Sequence, residues 1–319
     1  MDQFENHPLY RRHNIDSVMS SLWDFYKRKF LPLFITSFVM SLVIQYASSM
    51  VDMAGLSSIT DPVLLLEKFK GLILPILAVS VINLLFTTIL HYYIIFNPVD
   101  SGTNIFTAVI RSLKYFIPYL IIMILLAFAG SIAVVLGVFV LIVGAFFAML
   151  YVVTLYMFLL PVMMVENTNI GTSISRTFTL THKHFWTNIG WVAIFIILML
   201  VISVILSGII LIPFSGSFLK TILKPEEAAN LGEVTTRPLY IILSSAVNAI
   251  TMPLMPIFAC ILYFNGRANE EIIQNIQPDN TEENKVRVED LYARPYADDH
   301  PDNPENKVSS QEEPGSLNP

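Results

Sequence analysis

The chain has 319 residues, of which 54% are hydrophobic and 14% are charged. Soluble domains average about 45 to 50% apolar and about 25% charged residues, so this composition excludes an ordinary water-soluble protein and is typical of a polytopic helical membrane protein. The net charge of −6 comes from the C-terminal part, because residues 265–319 hold 13 acidic against 5 basic side chains.

The chain begins with a long polar leader that precedes the first apolar run near Phe30. A cleavable secretory signal has a short apolar core followed by a small-residue cleavage site, and that pattern is missing here. We therefore expect the first span to be retained. The single cysteine, Cys260, lies inside an apolar run, so we expect neither an intrachain disulfide nor a cysteine-rich metal site.

Six apolar stretches are long enough to cross a bilayer, which takes roughly 20 helical residues. They cover residues 31–50, 71–96, 116–136, 138–165, 189–212 and 238–264. The clearest signal is residues 116–165, which contain no Lys, Arg, Asp, Glu or His and provide two crossings with a turn at Gly137. The sequence therefore predicts an all-α protein with six transmembrane helices, in a membrane domain over residues 1–271.

Turn and cap residues mark the ends of several spans. Asp61 followed by Pro62 is a good N-cap and first helical position, which predicts a helix that begins before the second span. Asn97 and Pro98 are expected to end that helix. Prolines deeper inside the spans should bend or break their helices. These residues are Pro75, Pro161, Pro253 and Pro256.

An amphipathic segment precedes each odd-numbered span, at residues 15–30, 102–115 and 170–186. Each segment has an aromatic reference residue, a cation two residues earlier, and large apolar residues seven and eleven residues earlier. The reference residues are Phe30, Phe116 and Phe185. This pattern predicts three interfacial elbow helices, each leading into a hairpin of spans, as a threefold repeat. The alternative is that any polytopic protein has amphipathic segments at its cytoplasmic face.

The cations near the span ends are distributed unevenly. Ten lie on the side of the termini and five on the opposite side. The positive-inside rule then places both termini in the cytoplasm, and we expect a bacterial inner-membrane protein whose basic elbow helices contact anionic lipid headgroups.

Few polar side chains lie within the spans, and these are the candidates for a cavity. His91 favours the interfacial aromatic belt, with a proton carrier as the alternative. Asn83 and Asn248 favour helix association, with the alternative that they line a cavity beside a sixth span broken at Pro253 and Pro256.

No sequence motif identifies a reaction. The chain has no His-Glu-x-x-His, no Gly-x-Ser-x-Gly, no phosphate-binding glycine-rich loop and no dinucleotide fingerprint. The spans offer one histidine and no carboxylate, so we expect no enzyme activity, no cofactor and no metal. His182 and His184 point apart on a helix, which argues against a metal site. The basic clusters are short and lie beside spans, so we expect no nucleic-acid binding.

Two stretches resemble a known family. In residues 161–186 a proline near the end of the fourth span is followed by Glu166, by Arg176 with Leu180 four residues later, and by an aromatic pair, Phe185 and Trp186. Residues 262–271, LYFNGRANEE, are similar to an aromatic-to-arginine exit from a last span. Together with the elbow pattern, these stretches resemble the glycerophosphoryl diester phosphodiesterase membrane-domain family and related six-span bacterial membrane proteins.

The resemblance implies a bacterial inner-membrane helical domain. The family usually has a small residue three positions before the arginine and a serine directly after it, where this chain has Ser173 and Thr177. The chain also has Asn265 and Gly266 where an acidic residue is common in the family. The phosphodiesterase activity in the family's name belongs to a separate soluble catalytic domain, so we do not expect it in this chain.

Charged residues at the ends of the spans suggest a structural role. Glu166 follows the fourth span, and we expect it to pair with Arg176 or Arg267 and so fix the third elbow against the bundle. The alternative is that these residues contact headgroups independently, as we expect for Lys183 and Trp186.

Residues 272–319 are acidic and contain prolines, and few large aliphatic residues follow position 278, which predicts a disordered cytoplasmic tail. The tail is either merely solvated or a docking peptide for a protein partner. The function we expect first is a non-catalytic membrane scaffold or accessory subunit. The alternative is a permease or lipid-handling protein that uses the broken sixth span.

Overall fold

The computed structural model describes residues 2–51, 59, 61–140, 142–215, 234 and 236–276. The chain divides into two compact units, Met1–Ile273 and Gln274–Pro319. The first unit is a helical bundle. The α-helices of the described residues are α1 (Ile15–Arg28), α2 (Phe30–Ser49), α3 (Pro62–Phe96), α4 (Ile105–Phe139), α5 (Ile142–Val165), α6 (Ile170–Lys183), α7 (Phe185–Leu211), α8 (Pro238–Thr251) and α9 (Leu254–Ile276).

Six helical stretches among the described residues are long and apolar enough to cross a membrane. They are α2, α3, α4, α5, α7 and the consecutive pair α8 and α9. This confirms the predicted all-helical, multi-pass class. The early start of α3 is also confirmed, since the Asp61 carboxylate accepts a hydrogen bond from the Val63 N–H at 2.9 Å.

Three helices begin with the same capping sequence, Asn-Ile-x-Ser/Thr. The side chains of Asn14, Asn104 and Asn169 accept hydrogen bonds from the backbone N–H of the residue three positions later, at 2.8 to 2.9 Å. Each asparagine satisfies a donor that the first turn of a helix leaves unpaired. These caps start α1, α4 and α6, the helices at the three predicted elbows.

The three elbow segments end differently. α1 and α6 stop at Lys29 and His184, whose backbones leave the helical region, and the next spans begin one residue later. The second segment has no such break, because α4 runs without interruption through Pro118 to Phe139. The prediction of a separate elbow over residues 102–115 is therefore wrong. Pro118 removes one hydrogen bond from the helix but keeps a helical φ, which is not enough to end it.

The turn between α4 and α5 lies at Val140, and Gly137 is helical. The predicted turn at Gly137 is therefore wrong, and the glycine has another role. A Cβ on Gly137 would lie 2.7 Å from the Ala145 nitrogen, and one on Gly144 would lie 2.6 Å from the Gly137 carbonyl oxygen. The two helices touch through their backbones at this point, which only glycine permits.

The last span is broken between α8 and α9. Met252 makes the last hydrogen bond of α8 to Asn248, and Ile257 makes an early one of α9 to Pro253. Pro253 has no N–H to continue the ladder, whereas Pro256 occupies the third position of α9, where none is required. Tyr26 donates a hydrogen bond to the Ile250 carbonyl at 2.9 Å, so α1 satisfies one of the acceptors at the end of α8.

Helix α9 lies at the centre of the bundle. Every residue from Ile257 to Phe264 is at most 1% exposed. The other spans leave large apolar side chains exposed along one side, as lipid-facing helices do. The residues assigned by sequence to the acidic tail begin inside α9, which continues to Ile276, and residues 277–319 lie outside the described residues.

Candidate functional site

A cavity of about 320 Å³ lies among six helices of the bundle. Its lining includes the carboxamides of Asn83 and Asn248, the hydroxyl groups of four residues, and an apolar remainder that contains three methionines. The hydroxyl groups belong to Ser41, Thr87, Tyr156 and Thr251. The structure thus brings Asn83, Asn248 and Pro256 together, three of the five residues that sequence reasoning named for a cavity.

The cavity lies near the middle of the spans. Asn83 is 13 residues before the end of α3, Tyr156 is nine before the end of α5, and Ser41 is eleven after the start of α2. At a rise of about 1.5 Å per residue, these side chains are about 14 to 20 Å from one end of the bundle. The hydrocarbon core of a bilayer is about 30 Å thick, so this depth corresponds to its centre.

The break in the last span opens the polar side of the cavity. Asn248 and Thr251 come from the last turn of α8, and Met252 follows them in the break itself. Pro253 is buried and does not line the cavity, but it ends α8 at this depth. The broken helix therefore presents polar groups in the middle of the bundle. A continuous apolar helix would instead pack against its neighbours and leave no cavity there.

The two carboxamides are exposed although they lie within spans. Asn83 accepts a weak hydrogen bond from the Thr87 hydroxyl at 3.4 Å. Within the described residues, the Asn248 carboxamide has no hydrogen-bond partner. Moving an amide from water into hydrocarbon without a hydrogen-bond partner costs about 2 to 7 kcal/mol of free energy. Both side chains face the cavity, where a ligand or water can bind them, and this explains how two amides are tolerated within spans.

His91 does not line the cavity. Its side chain is 3% exposed, and Nδ1–H donates to the Thr87 carbonyl, one turn earlier, at 2.9 Å. The aromatic-belt interpretation of His91 is therefore wrong, because a belt side chain has to reach the headgroups.

Charged side chains are concentrated at one end of the bundle, in contrast to the uncharged cavity. This end, here called the charged end, comprises residues 2–29, 97–104, 166–184 and 264–273. Glu166 is its centre and is 9% exposed. Arg176 Nε lies 3.1 and 3.2 Å from the two Glu166 carboxylate oxygens, and Arg267 Nη1 lies 3.8 Å from one of them. The structure brings Glu166 together with both arginines that the sequence proposed as alternatives.

A second carboxylate, Glu270, completes this network. Arg176 donates to Glu270 through both terminal nitrogens, one of them at 3.0 Å, and Lys183 Nζ lies 3.6 Å away. Burial alone would lower the pKa of Arg176, but hydrogen bonds to Glu270 and Glu166 outweigh it and raise that pKa above its ordinary value. The network joins Glu166, which directly follows α5, to α6 and α9, so the third elbow is held against the central helix.

Sequence reasoning missed Glu270, although a signal was present. Glu270 is three residues after Arg267, a spacing that places both on one face of a helix that continues past the membrane exit. Trp186 takes no part in the network and is 73% exposed at the start of α7.

No protein-family model, curated protein or solved structure matches this chain. The resemblance to the phosphodiesterase membrane-domain family therefore stays a prediction. Within the described ranges, no group of three or more His, Cys, Asp or Glu side chains is placed to hold a metal ion.

The N-terminal segment, residues 2–13, packs onto the charged end. Phe4 lies against Phe96 and Phe264, and the His13 N–H donates to the Asn265 side chain at 2.8 Å. The Tyr10 hydroxyl donates to Glu271. Sequence reasoning missed this packing because its apolar residues are too few and too widely spaced to form a recognisable helical or strand period.

His7 is the most enclosed polar side chain of this segment, at 3% exposure. Its Nδ1 accepts from the Leu9 N–H at 3.1 Å, so Nε2 carries the proton and donates to the Ile94 carbonyl at 3.2 Å. Burial lowers the pKa of His7 to about 4 despite the bond to Ile94. The segment is therefore held by a neutral imidazole at ordinary pH.

Proposed function

We propose that this protein is a membrane-embedded binding protein for a small uncharged amphiphile, acting as a permease or a lipid-handling protein. The observation that carries the proposal is the cavity at mid-span depth, with exposed Asn83 and Asn248 carboxamides beside a broken helix. A non-catalytic scaffold needs no such cavity. The scaffold function stays a prediction, because the tail on which it depends lies outside the described residues.

The lining selects the chemistry of the ligand. Every residue that lines the cavity is uncharged. A charged ligand would therefore lose its hydration without gaining an ion pair. Carboxamides and hydroxyls provide both donors and acceptors, and methionines pack adaptably around aliphatic groups. These properties favour a neutral ligand with hydroxyl or amide groups at one end and a hydrocarbon part at the other.

The membrane setting forms part of the same proposal. The protein lies in a bacterial cytoplasmic membrane with its charged end in the cytoplasm, in agreement with the distribution of cations around the spans. The three helices capped by Asn14, Asn104 and Asn169 start the units of a threefold repeat. The cap sequence they share supports that repeat, and under this proposal the continuous α4 belongs to a diverged second unit.

The test is the binding of a monoacylglycerol, a neutral hydroxyl-bearing amphiphile, to the purified full chain in mild detergent. We expect Asn248→Leu to weaken retention of the monoacylglycerol at least tenfold in native mass spectrometry, because an exposed donor and acceptor of the cavity are lost.

The matched control is Gln45→Leu, which makes the same kind of change in a span but does not line the cavity. This variant should retain the monoacylglycerol as the wild type does. Equal retention by Asn248→Leu and the wild type, or equal losses in both variants, would contradict the proposal.

A further inference from the structure

A second concave site lies at the charged end, far from the cavity. It has a volume of about 260 Å³ and separates the N-terminal segment from the end of α1. Pro8, Leu9 and Pro98 form apolar walls. The polar lining consists of three cations, one acid and a buried serine. These are Arg11, Arg28, Lys29, Asp24 and Ser21.

The three cations of this pocket differ from those of the network around Glu166 and Glu270. Arg176, Lys183 and Arg267 each lie within 4.0 Å of a carboxylate oxygen. Among the described residues, no carboxylate lies that close to a side-chain nitrogen of Arg11, Arg28 or Lys29. The pocket thus gathers three cations that form no ion pair with a described carboxylate, and its single acid leaves a net positive charge.

One of these cations is held in position. The Arg11 guanidinium donates to the Ser21 hydroxyl, which is buried in the first turns of α1. Leu9 beside it is 1% exposed. The N-terminal side of the pocket is therefore fixed in place. Arg11 is positioned before a ligand binds, so the pocket is preorganised.

The pocket lies where the first span begins. Lys29 joins α1 to α2, and the next two residues, Phe30 and Leu31, are 41% and 64% exposed on the lipid-facing side of α2. A ligand headgroup in the pocket would therefore have its hydrocarbon chains beside an apolar surface. A water-soluble anion would gain nothing from this position.

We propose that this pocket binds the phosphate of an anionic phospholipid headgroup. Its volume of about 260 Å³ is several times the roughly 30 Å³ that one water molecule takes up in the liquid, which leaves room for a phosphate with a small alcohol attached. Two arginines supply planar donor sets that match phosphate oxygens, and Lys29 supplies a point charge. The bound phosphate would link Arg11 of the N-terminal segment to Arg28 and Lys29 of the elbow. This inference rests on the proposed membrane location and is independent of the cavity.

The experiment measures retention of phosphatidylglycerol and of phosphatidylcholine by the detergent-solubilised full chain in native mass spectrometry. We expect the wild type to retain phosphatidylglycerol preferentially. The double variant Arg28→Ala with Lys29→Ala should lower that retention about tenfold or more, because the pocket loses two of its three cations and the charge-assisted hydrogen bonds that they would donate to the phosphate. Arg11→Gln, which leaves both helices intact, should give a smaller loss in the same direction.

The matched control is Arg12→Ala with Lys27→Ala, an equal change in net charge at exposed cations that do not line the pocket. It should alter phosphatidylglycerol retention less than twofold. Equal losses in the two double variants would show diffuse attraction and overturn the site. If inorganic phosphate stabilises the protein as much as phosphatidylglycerol does, the pocket is a site for free phosphate and the lipid proposal is wrong. Monoacylglycerol retention in the same samples separates failure of this site from failure of the cavity.

Discussion

Arg176 is the residue on which the charged end depends, because its guanidinium contacts Glu166 and Glu270 at once. We expect Arg176→Ala to destabilise the protein by about 2 kcal/mol. The loss of one partner from a buried ion pair is worth about 3 to 5 kcal/mol, and the partial exposure of this network reduces that figure. Thermal unfolding in detergent would measure the change. Lys183→Ala, which removes a longer and more exposed contact, should have a smaller effect.

A second substitution distinguishes a charge effect from lost packing. Adding Glu270→Gln to Arg176→Ala removes a carboxylate that the first change leaves without its main partner, so part of the lost stability should return. If the double variant is no more stable than Arg176→Ala, unpaired charge is not the cause of the loss.

His7 predicts a pH dependence. Its folded-state pKa of about 4 lies below the ordinary value of 6.5, so protonation favours the state in which the N-terminal segment is released. The contribution of His7 to stability is complete above pH 6.5 and falls as the pH decreases toward 4, by about 1.4 kcal/mol per pH unit at most. We expect the unfolding temperature of the wild type to decline more steeply over this interval than that of His7→Gln.

The control for this pH series is His182→Gln, in which an imidazole outside the N-terminal segment is removed. It should follow the wild-type curve. Parallel curves for His7→Gln and the wild type would show that the imidazole is not the group that titrates.

Sequence reasoning at the level of single residues succeeded where a side chain is costly in its setting. Asn83 and Asn248 stood out because amides are rare in spans, and Glu166 because an acid follows an apolar run. It failed for Glu270 and for His91. Whether a charged helix continues beyond the membrane, and which way one side chain points on a span, depends on neighbours that a single sequence does not specify.

Between elements, the closest contact is the crossing of α4 and α5 at Gly137 and Gly144. We expect Gly144→Ala to destabilise the protein by about 1 to 3 kcal/mol, because the added methyl group would lie against the backbone of the facing helix. Thermal unfolding in detergent is again the measurement.

Gly208 provides the matched control, since no atom lies within 4 Å of a Cβ built there. Gly208→Ala in α7 should be neutral or stabilising, because alanine is the better helix former by about 1 kcal/mol. If Gly144→Ala leaves the stability unchanged, the two helices can move apart without a loss of stability, and their crossing contributes little to the stability of the fold.

At the level of helices, the apolar runs predicted where the spans are, but local breaks were harder to locate. Pro253 ends a helix while Pro118 lies within one, although both are prolines in apolar surroundings. At the break after α8, the Tyr26 hydroxyl donates to the Ile250 carbonyl and so satisfies an acceptor near the end of that helix. This contact joins residues that are more than 200 positions apart, so no local sequence pattern predicts it.

For the molecule as a whole, composition was sufficient to predict six helical crossings, because the low polarity of hydrocarbon leaves few alternatives. The arrangement around α9 was not predictable. Its residues from Ile257 to Phe264 look no more apolar than those of α7, yet α9 is enclosed on all sides and α7 is not. Which helix lies in the middle follows from the packing of all the others.

The contact between His13 and Asn265 joins residues 252 positions apart. The N-terminal segment is synthesised well before α9, which carries Asn265. Closure of this contact therefore has to await insertion of α9, whatever the order in which the earlier hairpins assemble. A chain that stops short of α9 would expose Phe4 and Leu9, which gives proteolytic quality control a means of recognising unfinished copies.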